Sequence, residues 1–387
     1  MRCVRGWMAC CLGIGIVLAA FPVMAKRPTA PTARAVEHNN RGAKFLSEGA
    51  LEQAEFELKT AVELSPDYSE AYNNLGILYK QRNQLDTALE YFQKAVGLNA
   101  DYASAWNHIA AVHIARGEYD LALKASGKAI KAEPTFADGV YNRALALFLK
   151  GRAMADLADR KKLYGEAERE FSKATQLNPK LTIAHKNLGD LYTELGQYEQ
   201  AVIRYRLATE DHPADVAAWK QLANAYRLLG DAAKARNAEL QAGIAEKSNK
   251  AGAEYAAGQK AVRAAEEKYA AGDRRGAGAL YNQAIKAFAG ALLADPRNAD
   301  AAYQLGVAYL RQDVNEMARK AWLQTLAIAP DHAPALYNLG TLEAKMGLSA
   351  EARGHFCRFL SVGARQFPAE AQVVRRHMQE QGWQCRD

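Results

Sequence analysis

From Ala71 to Val96 the chain reads AYNNLGILYKQRNQLDTALEYFQKAV. Its apolar residues recur three and four apart in two runs, with a polar break between them. That spacing predicts two amphipathic helices joined by a short turn. The layout returns in AHKNLGDLYTELGQYEQAVIRYRLAT from Ala184, AYQLGVAYLRQDVNEMARKAWLQTL from Ala302 and ALYNLGTLEAKMGLSAEARGHFCRFL from Ala335. The shared pattern is an apolar or aromatic residue, Leu-Gly, an aromatic three residues on, an alanine nine further, an aromatic four later and then a small residue, which the fourth copy follows except at Glu343 and Phe359. Proline often closes the unit, at Pro66, Pro134, Pro179, Pro213, Pro296 and Pro330. Self-similarity at a fixed period marks a stack of supersecondary units.

Nine units account for nearly all of the chain: 35–68, 69–102, 103–136, 137–181, 182–215, 216–249, 250–298, 299–332 and 333–365, seven of them regular, six with 34 residues and the last with 33. The fourth carries extra residues near 152–162, so its helices are expected to lengthen and its tip to project. The seventh, an elongated irregular unit, reads as a helix, a turn at Gly272-Asp273 and a second helix with an additional heptad, Ala277, Tyr281, Ala284, Phe288 and Ala291. It is a candidate bend between units 1–6 and units 8–9. Residues 366–387 read as an amphipathic capping helix, with Pro368 near its start and Gly382 at its end, and a tail. Residues 26–34, KRPTAPTAR, read as a flexible leader.

These marks resemble those of the tetratricopeptide repeat (TPR) family, over nearly the whole chain. The resemblance implies an all-α, right-handed superhelix, an α-solenoid of about nine helix-turn-helix units with a C-terminal capping helix. It places Gly76, Gly189, Gly306 and Gly340 where the first helix (A) of a unit meets its second (B). Ala54, Ala88, Ala122, Ala201, Ala235, Ala318 and Ala352 are the matching small residues on helix B. The resemblance also implies that helix A lines a concave groove with its second, fifth, sixth, ninth and twelfth positions. The sixth position reads Asn40, Asn74, His108, Asn142, Asn187, Gln221, Gln304 and Asn338, and the fifth includes Asn39, Asn73, Asn107, Tyr141, Lys186, Lys220, Tyr303 and Tyr337. A carboxamide both donates and accepts. Such a column suits either a peptide main chain held in the groove or bonding between neighbouring helices. Lys186, Lys220 and Arg227 form a candidate cationic group for an acidic segment; the alternative is a solvated face.

Composition narrows the field. The formal charge of +7 falls by two if Arg2 and Arg5 are removed, and no dense basic cluster interleaves with aromatics, so nucleic acid is not an expected partner. Residues 1–25 have the layout of a signal peptide: two arginines, an apolar core and small residues before Ala25. Cleavage after Ala25 would place the protein in a bacterial periplasm. An uncleaved membrane anchor over residues 7–25 is the alternative. Two cysteines remain, Cys357 and Cys385, either a disulfide or two unrelated thiols. No HExxH, GxxxxGK[ST] or GxSxG motif occurs, and His108 and His113 lie five apart on one helix, the wrong spacing for one face. No catalytic residue, metal or cofactor is expected. The expected function is a non-catalytic scaffold of the cell envelope, binding proteins or extended peptides for assembly of a secretion, pilus or polysaccharide-export complex. A carbohydrate-binding accessory of polysaccharide export is the alternative.

Overall fold

The structure, a computed structural model, describes residues 30–385. The expected signal segment and residues 26–29 lie outside them. The described residues form eighteen α-helices and no strand. They divide into two compact bodies, one ending at Leu177 and the other beginning at Asn178. The first holds four hairpins: α1 (Ala33–Ser47) with α2 (Leu51–Leu64), α3 (Ser69–Gln81) with α4 (Leu85–Leu98), α5 (Ala103–Ala115) with α6 (Tyr119–Ala132), and α7 (Ala137–Ala153) with α8 (Leu157–Leu177). Thr32 caps α1, its hydroxyl accepting from Ala35 N at 3.2 Å. Ala33 and Arg34, read above as leader, therefore belong to the first helix.

The second body holds α9 (Thr182–Glu194), α10 (Tyr198–Asp211), α11 (Val216–Leu228), α12 (Ala232–Ala270), α13 (Arg274–Ala294), α14 (Ala299–Arg311), α15 (Asn315–Ile328), α16 (Ala333–Lys345), α17 (Ser349–Val362) and α18 (Pro368–Glu380). Hairpin turns between A and B helices share one device, a residue in the left-handed region. Glycine fills it at Gly49, Gly117, Gly196, Gly230, Gly272 and Gly347, and Asn83 (φ 59°) and Asp313 (φ 57°) fill it elsewhere. A left-handed residue closes the helix and lets the chain reverse within a few residues. The fourth hairpin lacks the device: α7 runs on to Ala153 and a linker at 154–156 leads into α8. Its added length makes one more packing tier, Tyr164 over Gly151.

In four of the regular units the recurring spacing has one physical purpose: the glycine of helix A lies under the aromatic ring of its own helix B, while the first unit sets Leu58 over Gly42. A Cβ on Gly76 would stand 2.5 Å from the Phe92 ring, and one on Gly189 would stand 2.6 Å from Tyr205. The rings therefore pack on the glycines of their own unit. Phe92, Phe171, Phe288 and Trp322 are fully buried, each stabilising the stack by roughly 1.5–3 kcal/mol.

One boundary differs from expectation. Units six and seven were divided at 249/250, yet α12 runs unbroken through that point for 39 residues. Neither proline nor a left-handed residue interrupts it. Its buried stripe instead changes face. Ala235, Ala238, Ala242 and Ala245 are buried in the first half, and Ala251, Gly258 and Ala265 in the second. At 100° per residue the second set lies about half a turn round from the first. The first half serves α11 and the second serves α13, where Phe288 covers Gly258 and Tyr281 clusters with Ala265. At the C-terminal end, Cys357 of α17 and Cys385 form a disulfide with a Cα–Cα distance of 5.5 Å. Glu343, fully buried, ties α15 and α17 to α16 by accepting from Arg319 Nε at 2.9 Å and bonding His355 Nδ1 at 2.7 Å.

A Gly189→Ala substitution should cost about 1–3 kcal/mol, because the Tyr205 ring is also held by Asp190 and cannot swing aside. Gly243→Ala on α12, with nothing within 4 Å of the new methyl, should be neutral or stabilising. Thermal unfolding followed by circular dichroism compares the two.

Candidate functional site

The A helices place the polar column, and the structure shows what most of it does. Asn74 Nδ2 donates to Asn39 Oδ1 at 2.8 Å, and Asn39 Nδ2 donates to Tyr68 Oη at 3.3 Å. Asn142 Nδ2 donates to Asn107 Oδ1 at 2.7 Å. In the second body Asn338 Nδ2 donates to Tyr303 Oη at 3.1 Å. All three links join residues 35 apart. The rule is a sixth-position amide donating to the fifth position of the preceding unit. Gln221 uses a neighbouring acceptor, Asp190 Oδ1 at 2.6 Å, which also takes the Tyr205 hydroxyl at 2.6 Å. Asn39, Asn73, Asn107 and Asn142 are buried. Buried amides of this kind must be hydrogen-bonded to be tolerated.

One rung of the first body is not made. His108 stands where an amide would meet Asn73, and its ring stacks on Phe92 with centroids 5.0 Å apart. Asn73, 4% exposed, leaves its buried Oδ1 without a hydrogen-bond partner among the described residues. Burial, helped by the positive charge of Lys80, lowers the His108 pKa to about 4, so its ring is neutral at neutral pH.

The other candidates are dispersed. Asn40 is exposed and Gln304 half-buried; Asn187 occupies the sixth position of α9. The expected cationic group is mostly neutralised. Lys186 Nζ pairs with Asp215 at 2.8 Å, and Arg227 Nη2 with Glu239 at 2.7 Å. Lys220 is exposed and pairs with no acid among the described residues.

The signal overlooked in the sequence is the ninth position. In the first body it reads Ala43, Ile77, Ala111 and Leu145, all apolar and all half-buried. In the second it reads Asp190, Asn224, Val307 and Thr341. One turn beyond the amides, the A-helix face is thus apolar in one body and largely polar in the other.

Family models for the tetratricopeptide repeat match residues 69–102, 161–226 and 262–333. The chain is a tetratricopeptide repeat protein. None of the curated proteins matches it. Similar solved structures include PilW, a type IV pilus biogenesis factor, at 18% identity over 54% of this chain and 92% of that one, TM-score 0.48. PilF of Pseudomonas aeruginosa is 18% identical over 55% of this chain and 89% of its own, TM-score 0.44. A tetratricopeptide repeat protein from Parabacteroides merdae is 16% identical over 80% and 99%, TM-score 0.41. Likeness at this level does not reach what the chain binds.

TPR proteins act as interaction scaffolds that bind proteins or peptides, and the repeat itself is typically non-catalytic. Among the described residues no three His, Cys, Asp or Glu side chains gather as metal ligands would, and no helix is long and apolar enough to cross a membrane. The TPR tyrosines at the fifth position lean on neighbouring rings, Tyr141 on Phe171 at 6.0 Å and Tyr337 on Phe359 at 5.5 Å.

Asn142→Ala would leave the buried Asn107 oxygen unpaired and should cost about 1–3 kcal/mol, whereas Asn73→Ala should cost less because no bond is lost. Urea unfolding distinguishes them. His108 gives a pH signature. Its pKa is lower folded than unfolded, so its contribution is fully present above about 6.5 and is lost as pH falls towards about 4. Wild type should lose roughly 3 kcal/mol over that interval relative to His108→Phe, measured by melts at paired pH values.

Proposed function

We propose that the chain is an exported scaffold of the cell envelope that holds segments of partner proteins on the A-helix face of its first body. The observation that carries this reading is the apolar ninth-position row, Ala43, Ile77, Ala111 and Leu145. Half-buried apolar side chains in a line, beside the amides that the Asn74–Asn39 and Asn142–Asn107 bonds already satisfy, suit an apolar or amphipathic segment. The amide column then acts chiefly as the scaffold that keeps this row aligned. Asn73 and His108 are its candidate polar contacts.

Two features support export: the signal-like pattern of residues 1–25 and the Cys357–Cys385 disulfide, a bond that persists in oxidising compartments. Assembly of a secretion, pilus or polysaccharide-export complex is the process proposed for such a scaffold.

The test is in-cell photo-crosslinking with a photoreactive residue at Ala111 or Leu145, compared with Phe56 on α2, which is 69% exposed. Partner adducts are expected from the A-helix positions. Adducts from Phe56 alone, or none from Ala111 and Leu145 in a folded chain, overturn the reading.

A further inference from the structure

The rung pattern ends in a cavity at the C-terminal cap. In each linked pair, a fifth-position group is met by an amide from the next A helix. For the last hairpin the fifth position is Tyr337 and the next helix is α18. Ala371, Val374 and Met378 turn into the core there. Val373, 45% exposed, occupies the side where earlier units carry the amide. The Tyr337 hydroxyl consequently has no hydrogen bond among the described residues, unlike Tyr303, which receives Asn338. A cavity of about 250 Å³ opens between α16 and α18.

Its floor is Phe356 and Val374, both buried, and its sides are Tyr337 and Val373. Two nitrogen groups border it. Lys345, exposed in the last turn of α16, pairs with no acid among the described residues. His377 Nε2 is buried and has no hydrogen-bond partner there. The His377 ring is held edge-on between Phe356 at 5.8 Å and Trp383 at 5.4 Å. Trp383 is fixed in turn by its N–H to Met378 O at 2.8 Å and by the disulfide two residues on.

Pockets for drug-sized ligands run to about 300–1,000 Å³. This one is smaller and suits a single large side chain. Its walls are apolar, and its uncompensated charge is positive.

We propose that the cavity between α16 and α18 takes one aromatic or branched aliphatic side chain of a partner polypeptide, with an adjacent carboxylate on Lys345. The inference rests on the reading that this chain binds protein segments, and it adds an anchor of defined chemistry in the second body. The neutral lining selects the side chain by size. Lys345 selects the charge beside it, a charge-assisted contact stronger than a neutral one. The disulfide enters because it holds Trp383, and through it His377, at the cavity wall.

Methyl NMR of the full exported chain tests this with N-acetyl-phenylalanine, which carries both ring and carboxylate, against N-acetyl-phenylalaninamide, which lacks the charge. The acid should shift the Val373, Val374 and Ala344 methyls saturably at about millimolar concentration, and the amide should bind at least about tenfold more weakly. Lys345→Gln should bring the acid down to the amide's affinity, and Val373→Trp, which fills the cavity from an exposed position, should abolish the saturable shifts. No saturable shift in wild type, shifts that survive Val373→Trp, or equal binding of acid and amide would each overturn the proposal. These probes do not touch the first body. Binding here without crosslinks at Ala111 or Leu145 would count against the A-helix reading alone, and the converse against the cavity alone.

Discussion

Four of the regular hairpins depend on a ring lying against a glycine, and the first uses Leu58 on Gly42 in the same way. Phe92 on Gly76, Tyr205 on Gly189, Trp322 on Gly306 and Phe356 on Gly340 repeat one contact that only the absence of a side chain permits. The contact sets how near helix A comes to helix B, and therefore which residues of helix A remain at the surface. The two irregular hairpins keep the principle while changing the length. Tyr164 on Gly151 extends the fourth, and Phe288 on Gly258 serves the seventh, with Tyr281 against Ala265 as its further tier. A unit can grow by a tier provided each large ring finds a small residue opposite.

Contacts within hairpins do not by themselves align one hairpin with the next. That is where the amides act. Asn74 to Asn39 and Asn142 to Asn107 are short polar links between successive units, buried enough that slippage would leave a carboxamide unsatisfied. The apolar stack provides most of the stabilisation and tolerates small shifts. The amides tolerate few. Ile77, Ala111 and Leu145 lie in a row because the helices that carry them are held in register.

Much of the fold was legible because its determinants are local and periodic. Leu-Gly, the spaced aromatics and the Gly or Asn turns recur at a fixed interval, so Gly76 and Phe92 announce their roles by repetition. The unbroken α12 was less legible. An alanine-rich segment without proline supports one helix or two equally well, and only the switch from Ala245 to Ala251 in the buried stripe marks the change. At the candidate site the column was visible, but the partner of each amide was not. Whether Asn74 faces outwards or towards Asn39 depends on helix spacing that residue identity does not encode. The cavity beside Tyr337 was invisible for a related reason. It arises from Val373 standing where an amide stands elsewhere, and α18 belongs to no unit against which that substitution could be noticed.

The continuous α12 has a consequence for how such an array can change. At an ordinary boundary the turn isolates one hairpin from the next, and the chain between them can lengthen or shorten without altering either packing face. Inside a helix there is no such slack. Adding or removing one residue between Ala245 and Ala251 would turn everything beyond it by about 100° and shift it by about 1.5 Å. The short segment Glu246–Lys250, all of it exposed, thus acts as a phase setting. Apart from Asn249, whose Nδ2 donates to Ala214 O at 2.9 Å, its side chains are free to vary, while its length is not.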